Sequence, residues 1–432
     1  MLLEYAISNY RSFADEAYFD LHPTRSKAIR RYPDSFVEFK TGERALKDAV
    51  IVGENASGKS NFVESIAFLR DLVVRADVRP RSYLSQINAR NLVLYNDPPR
   101  VEDIEGTDSE QSFYVKIAFE DATYSYHLAL DAVGIVSEEL FYAPFRSSLE
   151  KAIFKLHRFD HRSCKACEND AECKDYREGG GCNRYQLEYG SDRGELSPEE
   201  VNRLDAARQD NQRRLSLVWL AAVGDEHCDR VLNWLANDVV VVRAPSPLMI
   251  ESTVPAEELL SVLGTDDYLD IAKLVDRSIV AFELDRDHPL RESVLVREDG
   301  DGRRFRRSLK DDSAGVRQFF CWAYYIYQVV YRNKTVIADE VDSMINPVLS
   351  ERVIAYINGS DHSGQYLFTT HNIFNLTLRT YMKEQIYFIT KDPLTLTSTL
   401  YSAADFDEIR YDVKTELYEF YLKGMLGGTL HE

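Results

Sequence analysis

The chain has 432 residues, of which 44% are hydrophobic and 28% charged, an ordinary globular composition long enough for about two to three domains' worth of buried core. No apolar run reaches the roughly 18 residues of a spanning helix, and Met1-Leu2-Leu3-Glu4 reads as the start of a strand, so no membrane association and a cytoplasmic location are expected. With 52 Lys and Arg against 71 Asp and Glu the net charge is −19, which excludes a protein that coats duplex DNA with its whole surface but permits a local basic groove.

Residues 2–9 and 15–21 read as a strand pair joined by Asn9-Tyr10-Arg11-Ser12-Phe13. Arg25, Lys27, Arg30 and Arg31 follow as a solvated charged face. The apolar run 49–52 leads into Gly53-Glu54-Asn55-Ala56-Ser57-Gly58-Lys59-Ser60, which fits G-x-x-x-x-G-K-[ST] in a strand–loop–helix context. Such a loop turns its backbone amides inward around a pyrophosphate, and the helix N-terminus adds partial positive charge. Lys59 can reach the outer phosphates and the Ser60 hydroxyl can hold Mg²⁺. A nucleotide is therefore the expected ligand. Phe62, Ile66, Leu69 and Leu72 recur at helical spacing up to about Arg75. The polar stretch 76–110, with Pro80, Pro98 and Pro99, reads as irregular. Phe113, Val115, Ile117 and Phe119 then alternate with Tyr124, Tyr126, Leu128 and Leu130 across a turn, the pattern of a hairpin with one buried face.

From about residue 143 the character changes to a basic stretch, a cysteine cluster and Gly179-Gly180-Gly181. Ser197-Pro198-Glu199-Glu200 is a helix-start signature. Apolar stripes at Leu215, Val218, Trp219 and Ala222, then at Val231, Leu232 and Leu235, predict two helices before a strand over 239–242. A mostly helical inserted lobe is therefore expected over 151–302. A second basic cluster, Arg303, Arg304, Arg306, Arg307 and Lys310, follows it. Beyond 303, buried strands within 329–338, 366–369 and 385–390 are separated by helical stretches, which points to a parallel sheet covered by helices.

Thr335-Val336-Ile337-Ala338-Asp339-Glu340 is a hydrophobic strand ending in two carboxylates. Beside a phosphate loop, Asp339 is placed to hold the Mg²⁺ shell and Glu340 to orient or deprotonate the attacking water. Ser313-Ala314-Gly315 precedes a helix, and Tyr366-Leu367-Phe368-Thr369-Thr370-His371 runs into a histidine. In this order, with Ile7–Phe13, Gly53–Asn61, Asp312–Gly315, Asp339–Pro347, Phe368–Asn372 and the closing Tyr421-Leu422-Lys423-Gly424 and Gly427, the chain resembles the ABC-type ATPases of the SMC/RecF/OLD branch. Within that branch it is similar to compact bacterial ATPases of anti-phage defence operons.

The resemblance implies an α/β fold: a P-loop ATPase head with a mixed sheet, helices and an antiparallel β subdomain, built from 1–150 and 303–432 around the inserted lobe. It implies ATP and Mg²⁺ as ligands, bound through Gly53, Asn55, Ser57, Gly58, Lys59, Ser60 and Asn61, with Arg11 beside the adenine. Ser313 and Gly315 resemble the signature segment that reaches the γ-phosphate of the opposite subunit, Asp342 the aspartate of the cross-dimer loop, and His371 the switch histidine. Asn346 stands where the family usually has His before Pro347. For the glutamine loop, Gln86 and Gln111 are both candidates. A homodimer or higher oligomer that closes over ATP follows from the resemblance. Little chain follows the last of these elements, so no appended nuclease is expected and the effector is expected to be a partner protein. The alternative is a RecF-type repair ATPase whose residues 303–310 and insertion contact nucleic acid.

Cys164, Cys167, Cys173 and Cys182 fall within nineteen residues. Thiolates at C-x₂-C spacing can share a tetrahedral Zn²⁺, with His157 or His161 as substitute ligands; free thiols and an iron–sulfur cluster are the alternatives. Cys228 and Cys321 lie in apolar helical stripes and read as core residues.

Overall fold

A computed structural model describes residues 1–75, 78, 110–131, 134–145, 147, 149–158, 185–190, 214–243, 245–340, 347–411 and 417–426. Two sheets carry the architecture, an α/β arrangement as expected. The strand that feeds the phosphate loop, Asp48–Val52, is buried at every position, as a strand covered on both faces must be. Its parallel neighbours are Gln365–Thr370 on one side and Ile386–Lys391 on the other. Thr335–Asp339 pairs parallel with Gln365–Thr370, and Val239–Arg243 pairs parallel with Thr335–Asp339. Ser398–Ser402 closes the opposite edge as the antiparallel sixth strand.

Side-chain alternation sends these strands into two cores. Ala49, Ile51, Ile337, Leu367 and Ile389 join the core shared with the phosphate-loop helix Lys59–Arg75 and the second sheet. Val50, Val52, Val336, Ala338, Tyr366 and Phe368 face the core built on the helix Ala314–Arg332. That helix starts at Ser313, whose Oγ accepts from the Val316 N–H at 3.3 Å, and ends at Asn333 in the left-handed region with φ +53°. Both ends thus use residues suited to their caps.

The second sheet is antiparallel and seven-stranded. Its order is Tyr185–Tyr189, Lys151–Arg158, Ile135–Pro144, Ala122–Leu130, Gln111–Ala118, Leu2–Ser8 and Ala17–Asp20. The expected hairpin is present, but Ala122–Leu130 is buried on both faces except at His127. It lies inside the sheet, with Gln111–Ala118 on one side and Ile135–Pro144 on the other.

The lobe expected over 151–302 does not stand apart. Lys151–Arg158 pairs with Ile135–Pro144 across the anticipated boundary, and Val239–Arg243 belongs to the nucleotide-side sheet. The two predicted helices, Ser216–Ala222 and Glu226–Asn233, pack into the first core through Leu217, Leu220, Cys228 and Val231. The buried carboxylate of Glu138 ties the first of them to the sheet by accepting from Ser216 N–H at 2.5 Å and Leu217 N–H at 2.9 Å. Backbone pairing and a buried charge at a helix start are contacts that a separable insertion would leave unsatisfied. Among its described residues the remainder combines helix with strand. Three short helices, Pro247–Thr253, Ala256–Leu263 and Asp266–Ala272, precede a three-stranded sheet of Ile279–Glu283, Val294–Glu298 and Arg304–Ser308.

The connection from Gln365–Thr370 to Ile386–Lys391 also departs from expectation, with two 3₁₀ turns, Ile373–Asn375 and Lys383–Gln385, in place of a helix. Among the described residues no helix is long and apolar enough to cross a membrane.

Candidate nucleotide site

The phosphate loop leaves its strand at Gly53 and enters the helix at Lys59. Two of its glycines are required by their surroundings. A Cβ on Gly53 would lie 2.4 Å from the Ile389 carbonyl oxygen. Gly58 has φ +116°, and a Cβ there would meet Ser398 Oγ at 2.4 Å and Ser12 Oγ at 2.8 Å. Ala56 also adopts the left-handed region, at φ +63°, a turn that curls the loop back on itself.

Lys59, only 4% exposed, donates through Nζ to the carbonyls of Gly53 at 2.8 Å and Glu54 at 2.9 Å. The ammonium therefore lies across the concave side of its own loop. Ser57 Oγ is buried without a hydrogen-bond partner, an orphan that a bound phosphate oxygen or its water would satisfy. Ser60 is exposed at the start of the helix, and Asn55 at the loop's outer edge.

The two carboxylates come from the neighbouring strand pair. Asp339 ends its strand, and its Oδ1 accepts from Thr369 Oγ at 2.5 Å. The same Thr369 oxygen accepts from the Glu340 N–H at 2.9 Å. Glu340 takes the left-handed backbone, φ +49°, an uncommon state for a non-glycine residue that the fixed N–H helps to hold. Its Oε1 lies 3.0 Å from His371 Nε2, and His371 Nδ1 lies 3.4 Å from Lys59 Nζ. An ammonium only donates, so Nδ1 accepts and the Nε2–H donates to Glu340. Lys59, His371 and Glu340 thus form one connected row at the carboxyl end of the parallel strands, where open α/β sheets bind ligands.

The donor set suits Mg²⁺: the Ser60 hydroxyl and the Asp339 carboxylate are hard oxygen ligands of the kind that ion uses, with waters and phosphate completing its shell. Arg11 lies on the same rim, with φ +48°, 3.5 Å from Asn61 Oδ1 and 3.8 Å from the Glu64 carboxylate. Asn61 donates in turn to Ser12 Oγ at 2.8 Å. Ser398 caps the loop from the far strand, donating to the Ser57 carbonyl at 2.6 Å while its N–H donates to the Ser12 carbonyl at 2.7 Å.

Thr369 and Ser12 lie within recognised segments but had no role assigned from sequence, and Ser398 carried no signal. Thr369 stands in the strand leading to His371 and is identified only when the sheet register places it beside Asp339. Ser313 and Ala314 are exposed and Gly315 is half-buried at the start of their helix, so the signature-like segment faces outward. Asp342 and Asn346 lie outside the described residues, as do Gln86, Gly427, His161 and the four clustered cysteines. Among the described residues no group of three or more His, Cys, Asp and Glu could hold a metal ion. Gln111 is fully buried in its strand and donates to the Asn9 carbonyl at 2.9 Å. Cys228 and Cys321 are buried core residues, and burial pushes the Cys321 thiol up to about 12.

Three cations of the second basic cluster are engaged by nearby carboxylates. Arg304 pairs with Glu298 at 2.9 Å, Arg306 with Glu283, and Lys310 with Glu292 at 2.9 Å. Arg307 donates to the Asp311 carbonyl.

Below the loop, at the opposite end of its strand, Asp48 is fully buried, and desolvation pushes its carboxyl up to about 7. Gln385 donates to its Oδ1 at 2.8 Å.

Residues 49–161 match the family model described as "AAA domain, putative AbiEii toxin, Type IV TA system". No curated protein matches the sequence. Among solved structures the chain is similar to an SMC head domain from Thermotoga maritima, at 12% identity and a TM-score of 0.44, over 93% of this chain and 98% of that one. An SMC head bound to the C-winged helix domain of ScpA matches at 12% identity and 0.44, over 93% and 97%. An SMC head with an extended coiled coil, bound to the C-terminal domain of ScpA and derived from Pyrococcus furiosus, matches at 11% identity and 0.39, over 99% and 98%.

Proposed function

We propose that the protein binds and hydrolyses ATP with Mg²⁺, as an ABC-type ATPase whose two subunits close over nucleotide. The observation that carries this reading is the convergence of Lys59, His371, Glu340 and Asp339, drawn from two strand ends and the loop, at one edge of the parallel sheet. Lys59 exchanges its loop carbonyls for the outer phosphates. Ser60 and Asp339 would hold a magnesium ion, which would supply charge neutralisation at the phosphates. Glu340, hydrogen-bonded to His371, accepts a proton from the attacking water. Arg11 flanks the base, and the outward-facing Ser313–Gly315 segment is offered to the partner subunit's nucleotide.

In the cell this ATPase would act as the sensor or scaffold of an anti-phage system, controlling an effector protein. Support comes from the order of motifs along the chain and from the toxin–antitoxin wording of the family model matched by residues 49–161. The duplex-binding alternative draws on the cluster at 303–310, yet Arg304, Arg306 and Lys310 are each engaged by a carboxylate.

The test is ATP turnover by the purified chain and by Lys59→Ala, followed by mixing Lys59→Ala with Ser313→Arg. Turnover absent from each parent but restored in the mixture supports composite sites. Turnover by Lys59→Ala at the wild-type rate would refute the assignment of the site.

A further inference from the structure

The charged groups at the loop are not exhausted by those the proposed chemistry uses. Arg243 ends its strand in register with Asp339, so a single interstrand step separates a guanidinium-bearing position from the carboxylate assigned to magnesium. Its guanidinium forms an ion pair with Glu64, which lies one turn beyond Ser60 on the helix that opens at Lys59. The same Glu64 oxygen lies 3.8 Å from Arg11. One carboxylate therefore engages two arginines, brought from residues 11 and 243, on the rim of a loop built to receive phosphate.

The exposures decide how firm that arrangement is. Arg243 is 51% exposed and Glu64 only 19%, so the pair is a screened contact at the protein surface, of the kind that contributes little to folding. A triphosphate offers the same guanidinium more charge and a bidentate set of oxygens. Arg243 stands in register with Asp339, on the side of the site whose carboxylate would hold magnesium beside the terminal phosphates, whereas Arg11 also lies beside Asn61.

We propose that Arg243 is a γ-phosphate-sensing residue, held by Glu64 in the nucleotide-free chain and transferred to the terminal phosphate when ATP binds. Glu64 is then a competitor of that phosphate and sets the threshold for discriminating ATP from ADP. The proposal rests on the ATP-site reading above and adds a specificity determinant to it.

Calorimetric titration of MgATP and MgADP into the full chain and its variants tests it. Arg243→Ala should weaken ATP binding by roughly tenfold while ADP stays within about twofold, and Arg243→Lys, which keeps the charge but not the fork, should fall between. Glu64→Gln should tighten ATP by about threefold, and this gain should vanish when Arg243→Ala is added, because coupled residues are non-additive. An unchanged ATP-to-ADP preference in Arg243→Ala, or a Glu64→Gln gain that persists without Arg243, overturns the proposal alone. Failure of the unmodified chain to bind ATP overturns the ATPase reading and this proposal with it.

Discussion

Replacing Glu340 by Gln isolates the step in which water is activated. The substitution conserves volume, and the Gln carbonyl can still accept from His371 Nε2–H across the 3.0 Å now spanned by Glu340 Oε1. The Glu340 N–H to Thr369 Oγ bond of 2.9 Å is a backbone contact and survives as well. The left-handed φ of +49° is equally available to either side chain. Lys59, Ser60 and Asp339 are untouched, so MgATP binding should stay within about twofold of the unmodified chain. What disappears is the proton acceptor, and general-base catalysis contributes about 10²–10⁴ in rate. At 1.36 kcal/mol per tenfold, that is about 3–5 kcal/mol on the barrier. Single-turnover hydrolysis of MgATP at saturating enzyme reads this step without interference from product release. The expected outcome is a fall of at least about a hundredfold, with the variant accumulating as an ATP-bound dimer by size-exclusion chromatography. Turnover within about threefold of the unmodified chain would refute the role given to Glu340 and leave its contact with His371 as a structural pair.

Thr369→Val keeps the shape of the strand but removes both the donor to Asp339 Oδ1 and the acceptor for the Glu340 N–H; kcat should fall about tenfold or more, with Thr369→Ser close to normal. A pH titration of thermal stability tests Asp48, whose carboxyl is raised from an ordinary 3.8 to about 7. The folded state keeps a proton that the unfolded chain releases, so this residue's contribution is complete below about pH 4 and is lost as pH rises through about 7. The unmodified chain should therefore lose melting temperature between about pH 4 and 7, and Asp48→Asn should flatten that slope. For the cysteine cluster, elemental analysis of chain purified without added metal should find about one zinc per molecule, lost in Cys164→Ser with Cys167→Ser while ATP turnover persists; less than a tenth of an equivalent of any metal would remove the site.

How much of this was legible beforehand depended on the range of the signal. The phosphate loop is a local pattern, since Gly53 to Ser60 must be contiguous to wrap a phosphate, and it could be read directly. Asp339 and Glu340 were legible because a carboxylate pair ends an apolar run. Thr369 was not: its function lies in a register with Asp339 that only the paired strands set. The same limit explains the misplaced boundary near 150. Periodicity predicted the helices at 216–222 and 226–233 well, but nothing local says that Lys151–Arg158 extends the sheet begun by Leu2–Ser8, or that Val239–Arg243 lies beside Thr335–Asp339. Arg243 escaped attention for that reason: in the linear chain it follows four valines and adjoins no motif.

The charged groups of the candidate site are paired within the protein. Lys59 is held by two loop carbonyls and approaches His371. His371 leans on Glu340, Asp339 on Thr369, and both rim arginines on Glu64. The charged groups expected to meet ATP therefore already have protein partners, so binding must exchange those contacts, while Ser57 Oγ is left to gain one. Exchange lowers the net gain per contact, because each new hydrogen bond replaces an old one. It also couples the groups. Drawing Lys59 away to phosphate removes the donor on His371 Nδ1, which frees that ring to turn and, with it, the Glu340 carboxylate. A site wired in this way holds its base in a resting pose until nucleotide pulls Lys59 out of the loop, and a chain with Lys59→Met should accordingly lose the response of Glu340 and His371 to nucleotide even at concentrations that force binding. Histidine NMR resonances followed through a nucleotide titration would show this: a His371 shift in the unmodified chain that is absent in the variant supports the coupling, and an equal shift in both refutes it.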